Sequence, residues 1–138
     1  MAGMTNTHEN TLLNHMFGGA TYTNPANWHV ALYTSAPDDN GGGTECSGVG
    51  YARKQISNTS GAGVWNTATS GQKTLLAAIS FTEAGTNWGQ ITHVGLSDSG
   101  TFGTPIQFYA QLDTAQAINA GDIFRIPAGA AGLRILLD

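Results

Sequence analysis

His93 lies five residues before Asp98 and six before Ser99, so the three side-chain types of a nucleophilic triad occur in one short stretch. Nothing around Ser99 has the glycine spacing of a nucleophile elbow. On a strand, moreover, neighbouring side chains point to opposite faces, so a structural histidine at a sheet surface is the plainer reading. Asp38, Asp39, Asn40 and Glu45 gather oxygen ligands in a glycine-rich stretch. Hard cations favour such oxygens, but the spacing is not that of the twelve-residue calcium loop, and a solvated turn accounts for it equally. His8 and His15 are seven residues apart. On a helix that is about two turns and about 10 Å, too far to share an ion. Gly41, Gly42, Gly43, Gly48 and Gly50 are followed by no helix and no Lys-Ser/Thr pair, so they are turn glycines rather than a phosphate loop. Tyr22, Trp28, Tyr33, Tyr51, Trp65, Trp88, Phe102 and Tyr109 supply either core packing or, in part, a sugar-stacking platform.

The elements that must carry these residues are short. Asn6 or Thr7 can cap a helix, with Glu9 in capping-box spacing from Asn6, and Gly18-Gly19 ends it. Leu12, Leu13, Met16 and Phe17 form one apolar stripe on that helix, which predicts burial against the same domain or a neighbouring subunit. From residue 26 onward the pattern is β. Strands are expected near 28–34, 49–57, 63–67, 73–81, 91–98, 105–112, 121–126 and 132–138, separated by glycine and Asn/Asp/Ser clusters. Alternation puts Trp28, Val30 and Leu32 on one face, and does the same for Ile106, Phe108, Ala110 and Leu112 and for Leu133, Ile135 and Leu137. Eight short strands favour an all-β, antiparallel β-sandwich of jelly-roll type, with one amino-terminal helix and a closed barrel as the structural alternative. The expectation is one domain over 1–138, with a helical segment 1–19 and a sandwich 26–138. The polar stretch from Ser35 to Gly50 is long for a loop, which marks it as a candidate contact surface.

Composition narrows the function. The chain has 138 residues, five Lys and Arg against nine Asp and Glu, and a net charge of −4. The basic residues are scattered, so phosphate recognition has no electrostatic footprint and nucleic acid is not an expected partner. Only 10% of residues are charged, while Thr, Asn and Ser together number 35, which makes the surface neutral and polar. Cys46 is the single cysteine, excluding an intrachain disulfide and a multi-cysteine zinc site. No apolar run approaches the ~20 residues of a membrane span, and residues 1–4 lack the character of a signal peptide, so synthesis in the cytoplasm with no membrane partner is expected. No cofactor, metal or enzymatic activity is expected.

The segment VALYTSAPDDNGGGTECSGVGYAR, Val30 to Arg53, resembles a family of small tailed-phage virion proteins that carry an ALYT run, a proline-aspartate loop and a GTE.SG.GYAR run. The resemblance extends to LLNHMFGG at the helix end, to FTEAGTNWGQITHVGLSD (81–98) and to GDIFRIPAGAAGLRILLD (121–138). Members are described as tail fibre proteins in some cases and as head decoration or minor capsid proteins in others. The resemblance therefore implies a structural, non-enzymatic part of the virion. Without a collagen-like, coiled-coil or repeat shaft, the head is ranked first: a cement protein on the major capsid protein lattice, as a homotrimer by analogy. A tail fibre or tail-tip component with a receptor- or carbohydrate-binding role is the alternative. Leu13, Phe17, Asp38, Asp39 and Glu45 are the candidate interface residues. Relatives often carry an aliphatic residue where this chain has Cys46, which implies a small buried hydrophobe there rather than a reactive thiol.

Overall fold

The computed structural model describes residues 3–59 and 63–136. In chain order its elements begin with β1 (Gly3–Met4), α1 (Asn6–Phe17), β2 (Asn27–Ser35), β3 (Thr44–Glu45) and β4 (Lys54–Ser57). They continue with β5 (Gln72–Thr74), β6 (Ile79–Ser80), β7 (Gly89–Ser97), β8 (Phe108–Ile118), β9 (Arg125–Ile126) and β10 (Arg134–Leu136). The fold is mostly β with one helix, and its antiparallel sheets curl into a half-barrel. The six-stranded main sheet runs β1-β8-β7-β2-β3, with β4 also paired to β2, while β5 pairs with β10 and β6 with β9 as two-stranded ribbons.

Antiparallel register explains the core. Val30 faces Leu96 and Leu32 faces Val94 across β2 and β7, so the alternating apolar positions meet on one side of the sheet. That side joins Ile56, Leu75, Phe81, Trp88, Ile91, Ile118, Phe124, Ile126 and Leu133 in the main cluster, against which Trp28, Phe108, Ala110, Leu112 and Ile135 pack. Ala31 and Tyr33, on the reverse side of β2, form a smaller cluster with Ile106 and Tyr109. Ile106 thus leaves the alternation expected for 105–112, because β8 starts only at Phe108 and runs on to Ile118. Leu137 lies outside the described residues.

Several expected strands are shorter than the apolar runs that suggested them. The 63–67 run is no strand but contributes one bridge, Trp65 to Leu75. The 73–81 run is divided into β5 and β6, the 49–57 run pairs only over Lys54–Ser57, and the 121–126 run only over Arg125–Ile126. Residues 48–53 instead make loop contacts. Gly50, at φ +86°, sits where an added Cβ would lie 2.6 Å from the Glu83 carbonyl oxygen. That conformation and that space admit glycine alone without strain.

The helix forms where expected but is capped and oriented differently. Its N-cap is Thr5, without a side-chain capping bond. The Thr5 hydroxyl is drawn off to the Ile106 carbonyl at 3.1 Å. The stop is Gly18 at φ +84°. The buried helix residue is His8, 5% exposed, whereas Leu13, Met16 and Phe17 are 54%, 69% and 77% exposed. The expected burial of the stripe within the domain is therefore not what the structure shows. The physical reason is an aromatic seat: the His8 ring meets Tyr22, Trp28 and Phe108 edge-on at centroid distances of 5.5, 6.3 and 4.9 Å. Docking that side of α1 turns the Leu/Met/Phe side away from the sheet.

Candidate functional site

The densest polar cluster is assembled by the segment 30–53. Pairing of β3 with β2 sets Glu45 beside Tyr33. Gly43, at φ +90° with its Cβ position 2.8 Å from the Ala36 carbonyl oxygen, makes the tight approach that precedes β3. Arg53 then reaches Glu45 in a forked pair, Nε to Oε1 and Nη2 to Oε2, both 2.8 Å. The two side chains are 1% and 5% exposed. The other guanidinium hydrogens are donated to the Ser99 carbonyl at 2.9 Å and to the Thr104 hydroxyl and carbonyl at 2.8 Å each. Glu45 also accepts from the Tyr51 hydroxyl and from the Gly103 amide, both at 2.9 Å. The Tyr51 oxygen accepts from the Leu32 amide at 3.0 Å. All five guanidinium donors are satisfied, as a buried charge requires.

The electrostatics follow from this geometry. Burial pushes the Glu45 carboxyl upward, but the Arg53 hydrogen bonds, the Gly103 amide, the Tyr51 hydroxyl and the Arg53 charge outweigh it and hold the group below its ordinary value. Burial also disfavours the Arg53 charge, and the Glu45 carboxylate reverses the effect, so the guanidinium is held more firmly protonated than usual. Tyr51 is pushed far up by burial. Cys46 is buried, its thiol pushed up to about 11 by burial and by Glu45. It behaves as the small apolar filler expected, held in the main cluster.

The expected oxygen cluster does not converge. Asp38 closes its own turn, accepting from the Asn40 and Gly42 amides at 2.9 and 3.0 Å. These two bonds hold its carboxyl below the usual range. Asp39 accepts a short hydrogen bond from the Tyr109 hydroxyl, which raises that phenol to about 12, and its carbonyl accepts from the Asn6 amide at 2.8 Å. Glu45 points into the ion pair. Among the described residues no three His, Cys, Asp or Glu side chains are placed to hold a metal ion. Asp38 and Asp39 remain at the surface, while the Glu45 carboxylate is spent within the chain.

Nor does a triad form. His93 bonds Thr92 through Nδ1 at 2.8 Å. The Ser99 hydroxyl accepts from the Thr101 amide. His93 and Ser97 are both in β7, four residues or about 13 Å apart along the strand, and Asp98 and Ser99 lie beyond it. The tryptophans form no exposed platform: Trp88 is buried and donates Nε1–H to the Val49 carbonyl, and Trp28 and Trp65 are half-buried against the main cluster. Leu13 and Phe17 stand exposed on α1.

Two placements escaped sequence reasoning. Arg53 was no candidate, although it stands in the same run as Glu45, eight residues on. An Arg and a Glu flanking a glycine turn in a chain this poor in charge were the available signal. The aromatic seat of His8 joins residues up to a hundred positions apart and had no local signal.

The class defined here is an all-β module whose most elaborate chemistry locks its own loops together. The family described as podophage GP4 fiber I protein gp80 matches residues 3–134, and the chain belongs to that family. It is a structural protein of a phage virion, from a fibre-related family. A comparison with curated proteins gives no match.

Proposed function

We propose that the chain is a non-enzymatic component of a phage fibre, where it supplies a rigid β-module with contact surfaces for neighbouring virion proteins. The observation that carries this is the family's description as a fibre protein across nearly the whole chain. It moves the reading from the head, ranked first above, to the fibre. The argument for the head was the missing shaft, and a compact module at a joint or end of a fibre needs no shaft of its own. Physical chemistry supports a structural role. The polar residues that might have done chemistry are committed to the Glu45–Arg53 pair and to the turns of Asp38 and Asp39. Buried, fully bonded ion pairs contribute geometry more dependably than stability. Cryo-electron microscopy of the particle tests the proposal. Density for this fold at the fibre is expected, and density over capsomer junctions would restore the decoration reading on the major capsid protein.

A further inference from the structure

The face of α1 opposite its seat has no partner in the chain. At 100° per residue, Leu12, Leu13, Met16 and Phe17 span about 140° of the helix, wider than the a/d seam of a two-helix coiled coil. Leu13, Met16 and Phe17 are each more than half exposed. Together they leave on the order of 400 Å² of apolar surface in water.

The stripe is held in place rather than left to fray. Thr5 and Asn6 donate backbone N–H groups to the Gln107 and Asp39 carbonyls at 2.9 and 2.8 Å. His8 fills the aromatic seat. At the other end the Ala20 amide returns to the Asn14 carbonyl, and the Tyr22 amide bonds His15 Nδ1 at 3.1 Å. A helix of twelve residues is marginal in water by itself, so these ties are what present the stripe in one orientation. Such preorganisation lowers the ordering cost of association.

We infer that the stripe is a self-association face, and that three copies of this chain bring their α1 helices together around a threefold axis. This rests on the reading of the chain as a virion building part. Three features select copies of the chain as the occupant. Glu9 is the sole Asp, Glu, Lys or Arg in Asn6–Phe17, so the face offers no charge pattern for a different partner to read, and it does not repel its own copies through the apolar layer. Two stripes pressed together would bury only ~800 Å² in total, the size of a crystal-packing contact, whereas three reach ~1,200 Å², the lower bound of stable interfaces. The 140° width suits a helix touching two neighbours rather than one. In a parallel cluster the Glu9 side chains gather at the solvent end beside the helix N-termini, whose dipoles offset them.

The test uses the full chain and the double variant Leu13→Ser/Phe17→Ser, both changes falling on exposed positions. Light scattering and native mass spectrometry at tens of micromolar should give a trimer for the wild type and a monomer for the variant. The variant should keep its circular dichroism spectrum and a thermal midpoint within a few degrees of the wild-type monomer. A monomeric or dimeric wild type, or a variant that stays trimeric, overturns the inference. So does a monomeric wild type whose variant fails to enter particles, since another virion protein would then cover the stripe. None of these outcomes touches the fibre reading, which depends on where the protein lies on the particle.

Discussion

Arg53 is the residue on which the most loop structure depends. Its guanidinium ties β3 to the 99–104 loop through Glu45, Ser99 and Thr104, and nothing else in the chain could replace five donors at once. Removing it would strand a carboxylate that is 5% exposed. Arg53→Met is therefore expected to cost about 3–5 kcal/mol, read from urea unfolding. Arg53→Lys should recover only part, because an ammonium cannot make the forked pair. Adding Glu45→Gln to Arg53→Met should restore stability relative to the single variant, because it removes the unpaired charge. An additive double variant would mean that the pair is not coupled. Because the folded Glu45 carboxyl sits below its unfolded value, its contribution is present above about pH 4.5 and is lost as pH falls through the lowered folded value.

At the scale of elements, α1 is joined to the sheet through His8. Burial lowers the His8 pKa, with Asp98 opposing the effect, and Tyr22, Trp28 and Phe108 surround the ring. The neutral imidazole is the form that fits. The unfolded state then binds the proton more readily, so this docking energy is complete above about pH 6.5 and declines as pH falls from there toward the lowered folded value. Hydrogen exchange should show α1 amides losing protection between pH 7 and pH 5, while β2 and β7 keep theirs. His8→Phe fills the seat with an uncharged ring, and the pH dependence of α1 protection should largely vanish. His93, also lowered by burial, lies in β7 and titrates in the same range, so protection is followed helix by strand rather than by a global midpoint. Unchanged α1 protection in the wild type across this range would show that His8 does not gate the docking.

For the whole molecule, one cluster draws on β2, β4, β7, the ribbons and the segments between them. Burial shared in this way leaves no separable second core, and we propose that residues 26–138 unfold as one unit. Trp28, Trp65 and Trp88 sit in three different segments yet pack into that cluster, so they report on it from separate sites. Tryptophan fluorescence and far-ultraviolet circular dichroism should therefore give coincident denaturation curves for the monomeric Leu13→Ser/Phe17→Ser variant. Two separated transitions would divide the chain into independent units.

The sequence by itself determined what local periodicity can encode. The alternation of Trp28, Val30 and Leu32 and of Phe108, Ala110 and Leu112 specified buried faces, because a pleated strand sends every second side chain the same way. The glycine stop placed the helix end at Gly18. Strand lengths were less legible: the runs at 63–67 and 73–81 are apolar enough for strands, but pairing needs a partner at the right register, and the chain supplies one only for Gln72–Thr74 and Ile79–Ser80. The side of α1 that is buried was decided by tertiary structure alone. Hydrophobicity pointed to Leu13, Met16 and Phe17, yet an aromatic seat built from Tyr22, Trp28 and Phe108 takes His8, since contact geometry among distant residues outweighs the apolar count of one helix. The same holds for Glu45. In the sequence it is one of several acids in a polar loop, and only the approach of Arg53, Tyr51 and Gly103 makes it a buried anchor.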